Sequence, residues 1–204
     1  MEFLGMTIEV ELWQWIVSQV FAFLALVAVV ICFQLKNKVH TLIWLGICNA
    51  FYMISVMFLA NWIIAVIVAI AMLRSFVFAW IDSRKEPVNP KASLAVMFGF
   101  MFALVLFTVF MMIYLDWWWI DLLLLASSIF IIYGNWAKGI HILRISLLAY
   151  AALAIINHIF YLNAIAIIVE AVAILSIMIF YVRYFIGKNK DEAKEILNTS
   201  EEII

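Results

Sequence analysis

Long apolar runs alternate along the chain with short polar breaks. Runs of spanning length fall at about Leu12–Phe33, Val39–Leu59, Trp62–Ile81, Ser93–Tyr114, Ile120–Trp136, Ile140–Phe160 and Ala164–Phe185. A bilayer core takes about 20 helical residues to cross, so the pattern predicts seven transmembrane helices. The breaks around Ala60-Asn61 and Leu162-Asn163 are so short that the helices they join must be antiparallel neighbours. Read this way, residues 1–186 form one transmembrane domain and residues 187–204 a charged tail, with a short amphipathic helix expected around Asp191 to Leu197.

The cations give the pattern a direction. Lys36 and Lys38 follow the first run, Arg84, Lys85 and Lys91 the third, Lys138 and Arg144 flank the break between the fifth and sixth, and Arg183, Lys188, Lys190 and Lys194 end the chain. The opposite ends carry Glu2, Glu9, Glu11, Asp116 and Asp121. Short loops rich in Lys and Arg stay in the cytoplasm, which predicts an external N-terminus and a cytoplasmic C-terminus. Trp13, Trp15, Trp62 and Trp117-Trp118-Trp119 then fall at the outer interface, where amphipathic rings favour the headgroup level. The acidic start lacks a basic n-region and a small-residue cleavage site, so the first run reads as a retained span.

Composition agrees with this picture: 70% of the 204 residues are apolar and 12% charged, and such a chain cannot cover itself with a polar surface. A net charge of −1 leaves no basic field for nucleic acid. Both prolines, Pro87 and Pro90, lie in the polar stretch Asp82 to Lys91, where a helix interruption is harmless. Cys32 and Cys48 lie inside apolar runs at different expected depths, so they read as small buried hydrophobes rather than a disulfide or metal site.

A displacement of 102 residues lays Phe58-Leu59-Ala60-Asn61 on Phe160-Tyr161-Leu162-Asn163, Lys36 on Lys138, Leu73 on Leu175 and Phe78 on Phe180. This predicts a duplication: repeat one over about 12–81, a linker helix over about 93–114 and repeat two over about 120–185. The fold class expected is therefore an all-α integral membrane bundle with a 3+1+3 parallel repeat, the layout of SWEET-type transporters.

Polar side chains are costly within hydrocarbon unless paired or hydrated. The candidates in the spans are Gln19, Asn49, Arg74, Ser127, Ser128, Asn157, His158 and Glu170. At ~1.5 Å per residue Gln19 and Glu170 lie near the outer side, Asn49 and the serines near the middle, and Arg74 towards the inner side, forming a polar column. Glu170 either takes part in binding a cation or proton donor, or makes a structural bond to a neighbouring helix. Arg74 either snorkels to the interface or faces inward to neutralise Glu170 or an anionic solute. His158 is a relay or a wet interfacial residue, and Gln19, Asn49, Asn157 and the serines are solute ligands or interhelical glue.

The chain contains no H-E-x-x-H, C-x-x-C, G-x-S-x-G or phosphate-binding glycine loop, so no enzymatic activity, cofactor or metal is expected. Gln19, the A-x-L-R-S segment ending in Arg74-Ser75, Ile156-Asn157-His158, and Glu170 followed thirteen residues later by Arg183 carry a resemblance. Over most of the spans the chain resembles the YgjV family of bacterial inner-membrane proteins, though it lacks the glycine-rich turn expected before the last span. The resemblance implies a helical protein of the bacterial inner membrane and supplies no substrate. The function expected is a small-solute transporter or facilitator working by alternating access, its solute held by Gln19, Asn49, Arg74, Asn157, His158 and Glu170; the alternative is a non-transporting cargo receptor or accessory subunit. The expected partners are the lipid bilayer and a small-molecule ligand, with self-association left open.

Overall fold

A computed structural model describes the backbone at residues 2–3, 6–7, 11–59, 62–84, 86, 88–114, 121–160 and 164–201, and side chains at 11–59, 65–84, 86, 88–110, 122–123, 125–156, 159 and 167–186. Trp117-Trp118-Trp119 and the outer breaks at 60–61 and 162–163 lie outside the described residues, as do the side chains of Trp62, Asn157, His158 and the tail.

The described chain is helical apart from a two-residue antiparallel pairing of Glu2–Phe3 with Met6–Thr7. The helices are α1 (Leu12–Gln34), α2 (Lys38–Phe58), α3 (Trp62–Ser83), α4 (Pro90–Tyr114), α5 (Asp121–Trp136), α6 (Ile140–Phe160) and α7 (Ala164–Glu201). Five of them, α1 to α4 and α7, contain described segments long and apolar enough to cross a membrane. The 16 residues of α5 fall short of the ~20 that a perpendicular crossing needs.

Local sequence explains several boundaries. Asn37 caps α2, its side chain accepting from Val39 N at 2.8 Å, and Asn89 caps α4 in the same way through Lys91 N at 2.9 Å. Pro90 is the first residue of α4 rather than part of the break before it, because a proline at that position gives up only an N–H that has no helical partner. Gly139, with φ at 107°, makes the α5–α6 connection in a backbone region that a Cβ disfavours. The tail does not form a separate short helix: α7 runs unbroken for 38 residues, about 57 Å at 1.5 Å per residue, well beyond one bilayer core.

Packing is sequential within each group of three. Helix α2 sits between α1 and α3, and α6 between α5 and α7. Two seams join the groups, α1 against α7 and α3 against α5, while α4 packs on α5 outside this ring. Helix α4 accordingly exposes Phe98, Phe102, Leu106 and Phe110, as expected of a lipid-facing surface. The core draws Cys32 and Phe33 from α1, Leu42 from α2, Phe78 from α3, Ile132 from α5, Leu143 from α6 and Ile177 from α7.

The 102-residue displacement carries helix ends onto helix ends. It maps both ends of α2 onto those of α6, the end of α1 onto the end of α5 and the start of α3 onto the start of α7.

Candidate functional site

The middle residue of α2 is Cys48 and the middle residue of α6 is Tyr150. Both lie within electrostatic reach of Glu170 on α7, and Glu170 accepts a hydrogen bond from Tyr150. Tyr52, one helical turn beyond Cys48, lies within electrostatic reach of the same carboxylate and is 38% exposed. Arg74 on α3 completes it. Its side chain is 6% exposed, so it points inward and does not snorkel, and it lies within electrostatic reach of Tyr150.

Arg74 and Glu170 therefore meet through an intermediary and form no ion pair of their own. Tyr150 is the group they share: it hydrogen-bonds the carboxylate and lies in the field of the guanidinium. Arg74 is held from α5: with the Asn135 amide oriented to satisfy both neighbours, its oxygen accepts from Arg74 Nε at 3.2 Å and its nitrogen donates to Ile131 O at 3.2 Å. A buried guanidinium needs such partners because an unpaired charge in a low-dielectric interior is strongly unfavourable. The cluster thus offers an acceptor (Glu170), a donor and acceptor (Tyr150) and a fixed cation (Arg74), which together could hold a solute carrying both donor and acceptor groups.

A second polar layer lies at the Lys- and Arg-rich end of the bundle. Lys38 donates to Asp82 at 2.6 Å, pairing α2 with α3, and to Asn135 O at 2.8 Å, reaching α5 across the seam. Across the other seam Gln34 donates to Ser176 O at 3.4 Å and accepts from Arg183 at 3.2 Å. Arg144 donates to Phe33 O at 3.3 Å and also to Leu35 O, at the end of α1. Both seams are tied at this end.

Of the residues singled out from the sequence, Arg74 and Glu170 enter the cluster. Gln19 and Asn49 are half-buried on α1 and α2 and make none of its contacts. The side chains of Asn157 and His158 lie outside the described residues. Interhelical glue is supplied instead by Ser18 and Ser55, whose hydroxyls lie 3.0 Å apart, with Ser55 also donating to Ser18 O at 2.9 Å. Sequence reasoning missed Tyr150, Tyr52 and Asn135, since tyrosine and a helix-terminal asparagine do not stand out in an apolar aromatic-rich chain. It also counted Arg144 among the cations flanking a break, whereas that side chain is completely buried. The signal was present: the 102-residue displacement places Arg144 on Leu42, a core position.

Apolar helices that bury polar side chains between them define an integral membrane protein of the helical-bundle class. Residues 16–187 match the family of bacterial inner membrane proteins named Imp-YgjV, and the chain belongs to that family. Neither a search of curated proteins nor one of solved structures returns a match.

Proposed function

We propose that the protein is a small-solute transporter or facilitator of the bacterial inner membrane, with a solute site formed by Glu170, Tyr150 and Arg74 between two three-helix repeats. The observation that carries this reading is convergence. Cys48 and Tyr52 from the first group of helices and Tyr150 from the second all lie within electrostatic reach of the Glu170 carboxylate, and Arg74 of the first group lies within reach of Tyr150. An accessory subunit would be expected to scatter such groups over separate helix contacts, as Ser18 and Ser55 are scattered; that alternative keeps the Ser18–Ser55 pair as its support.

The 3+1+3 repeat belongs to this proposal, with all seven helices as spans and α4 as the linker. The coincidence of helix ends under one displacement supports it, as does the exchange of the α1–α7 seam for the α3–α5 seam when the two groups are swapped. Cys48 and Tyr150 are related by the same displacement, so a carboxylate facing both sits close to the axis relating the repeats, where parallel-repeat transporters hold their solutes. In this reading the tied end faces the cytoplasm by the distribution of Lys and Arg, and it is closed in the described state. No catalytic step is assigned to the chain.

A thermal-shift screen of the purified protein against metabolites tests the reading, because binding raises apparent stability by mass action. A stabilising solute should be accumulated or equilibrated by proteoliposomes containing the protein, and Glu170→Gln should remove both responses. A stabilising solute that never crosses the bilayer would leave a binding protein and overturn the transport reading.

A further inference from the structure

Arg144 carries a charge that the proposed solute site does not use. It is 0% exposed on α6. Its Nη2 caps the end of α1 through Phe33 O and Leu35 O, and the guanidinium carbon lies 3.0 Å from the centroid of the Phe180 ring. Its Nε and Nη1 have no hydrogen-bond partner, nor has the buried Tyr181 hydroxyl, which lies within electrostatic reach of the same guanidinium. Three polar atoms of this region are therefore buried without a hydrogen-bond partner, although such groups are nearly always satisfied in folded proteins.

The surroundings supply more donors and no counter-charge. His141 lies one turn before Arg144 on the same helix, its ring 5.9 Å from that of Tyr181 and 5.1 Å from that of Tyr184. Arg183 adjoins through Gln34. Among the described residues no carboxylate pairs with Arg144: Asp82 is taken by Lys38 and Glu170 by Tyr150. Packing does not demand a cation here either. Leu42, the position that the 102-residue displacement lays on Arg144, is also 0% exposed, so an aliphatic side chain fills the matching place on α2.

Depth narrows the ligand. Arg144 is the fifth residue of α6, about 6 Å along the axis from its first residue, and a helix that begins at the membrane surface would set it near the level of the phosphates. Arginine with tyrosine and histidine donors, free of competing carboxylates, suits a phosphate oxyanion. We propose that the α6–α7 seam at the Lys- and Arg-rich end binds a phosphate group, through the unpartnered N–H groups of Arg144 and the Tyr181 hydroxyl, with His141 and Arg183 at its rim. The phosphate is that of an anionic lipid headgroup or a free phosphate. This site is independent of any transport activity.

The test is thermal stability of the full chain in detergent with added phosphatidylglycerol, phosphatidylcholine or inorganic phosphate at constant ionic strength. Wild-type protein should gain stability with phosphatidylglycerol and not with phosphatidylcholine; an equal gain with inorganic phosphate would assign the site to free phosphate instead of lipid. Tyr181→Phe removes one donor without changing shape and should weaken the response roughly tenfold in ligand concentration, the worth of one bond to a charged group. Arg144→Leu, which copies the residue at the matching place on α2, should abolish it. Should Arg144→Leu fail to fold, Tyr181→Phe decides alone. The proposal is overturned if neither phosphatidylglycerol nor inorganic phosphate stabilises the wild type, if phosphatidylcholine stabilises it as much as phosphatidylglycerol, or if Tyr181→Phe responds like the wild type.

Discussion

Tyr150 decides how the two buried charges communicate. Arg74 and Glu170 form no ion pair with each other, and the group both reach is the phenol that bonds the carboxylate and lies in the field of the guanidinium. Tyr150→Phe should cost about 1 kcal/mol for the lost hydrogen bond. Combined with Glu170→Ala, which removes the acceptor, it should cost less than the two single effects together, by at least ~0.5 kcal/mol, since both remove the same contact. Unfolding of the four proteins in a common detergent measures this, and strictly additive losses would mean that the bond contributes nothing. Arg74→Gln should be the more severe single change, because it leaves the Asn135 amide oxygen, which accepts from Arg74, buried without its donor.

At the scale of the helix, close approach rather than charge sets the geometry. Gly134 on α5 faces Ser146 on α6 so tightly that an added Cβ would lie 2.5 Å from the Ser146 Cβ and 2.8 Å from its hydroxyl. Small residues allow such backbone approach between membrane helices. Gly134→Ala should therefore destabilise the protein by about 1–3 kcal/mol, the usual cost of overpacking, and Ser146→Gly in the same chain should recover part of it; a neutral Gly134→Ala would show that α5 and α6 can move apart freely. Helix α7 makes the opposite case. Its last turns extend past any bilayer core, so truncation after Lys190 should leave a folded, monodisperse protein, which size-exclusion chromatography checks.

Over the whole molecule, the tied end and the central cluster are one arrangement. Asn135 joins them, accepting from Lys38 through its carbonyl and from Arg74 through its amide. The proposed alternating access would require these seams to part. Lys38→Met together with Gln34→Leu should then speed alkylation of Cys48, which is 8% exposed beside Glu170, in a Cys32→Ala background with a reagent applied from the tied side. An unchanged rate would mean that the ties do not gate the cluster. Orientation is checked separately: a cytoplasm-active reporter at the C-terminus should be active, and one inserted after Leu115 should report the outside.

The helical, membrane-embedded character was legible in the sequence because it follows from one-dimensional facts. Apolar runs of spanning length, polar breaks and the placement of Lys and Arg need no knowledge of packing. Glu170 and Arg74 stood out for the same reason, a charge in an apolar helix being costly wherever the helix goes. Tertiary structure decided which of the polar residues meet. It brought Arg74 and Glu170 each within reach of Tyr150, left Gln19 and Asn49 out of the cluster, drew Asn135 from a helix end into its support, and turned Arg144 from a flanking cation into a buried one. Whether a side chain faces a neighbour, the core or lipid depends on the rotation and pairing of helices, and in a chain that is 70% apolar no helix has a polar face strong enough to announce its rotation in advance.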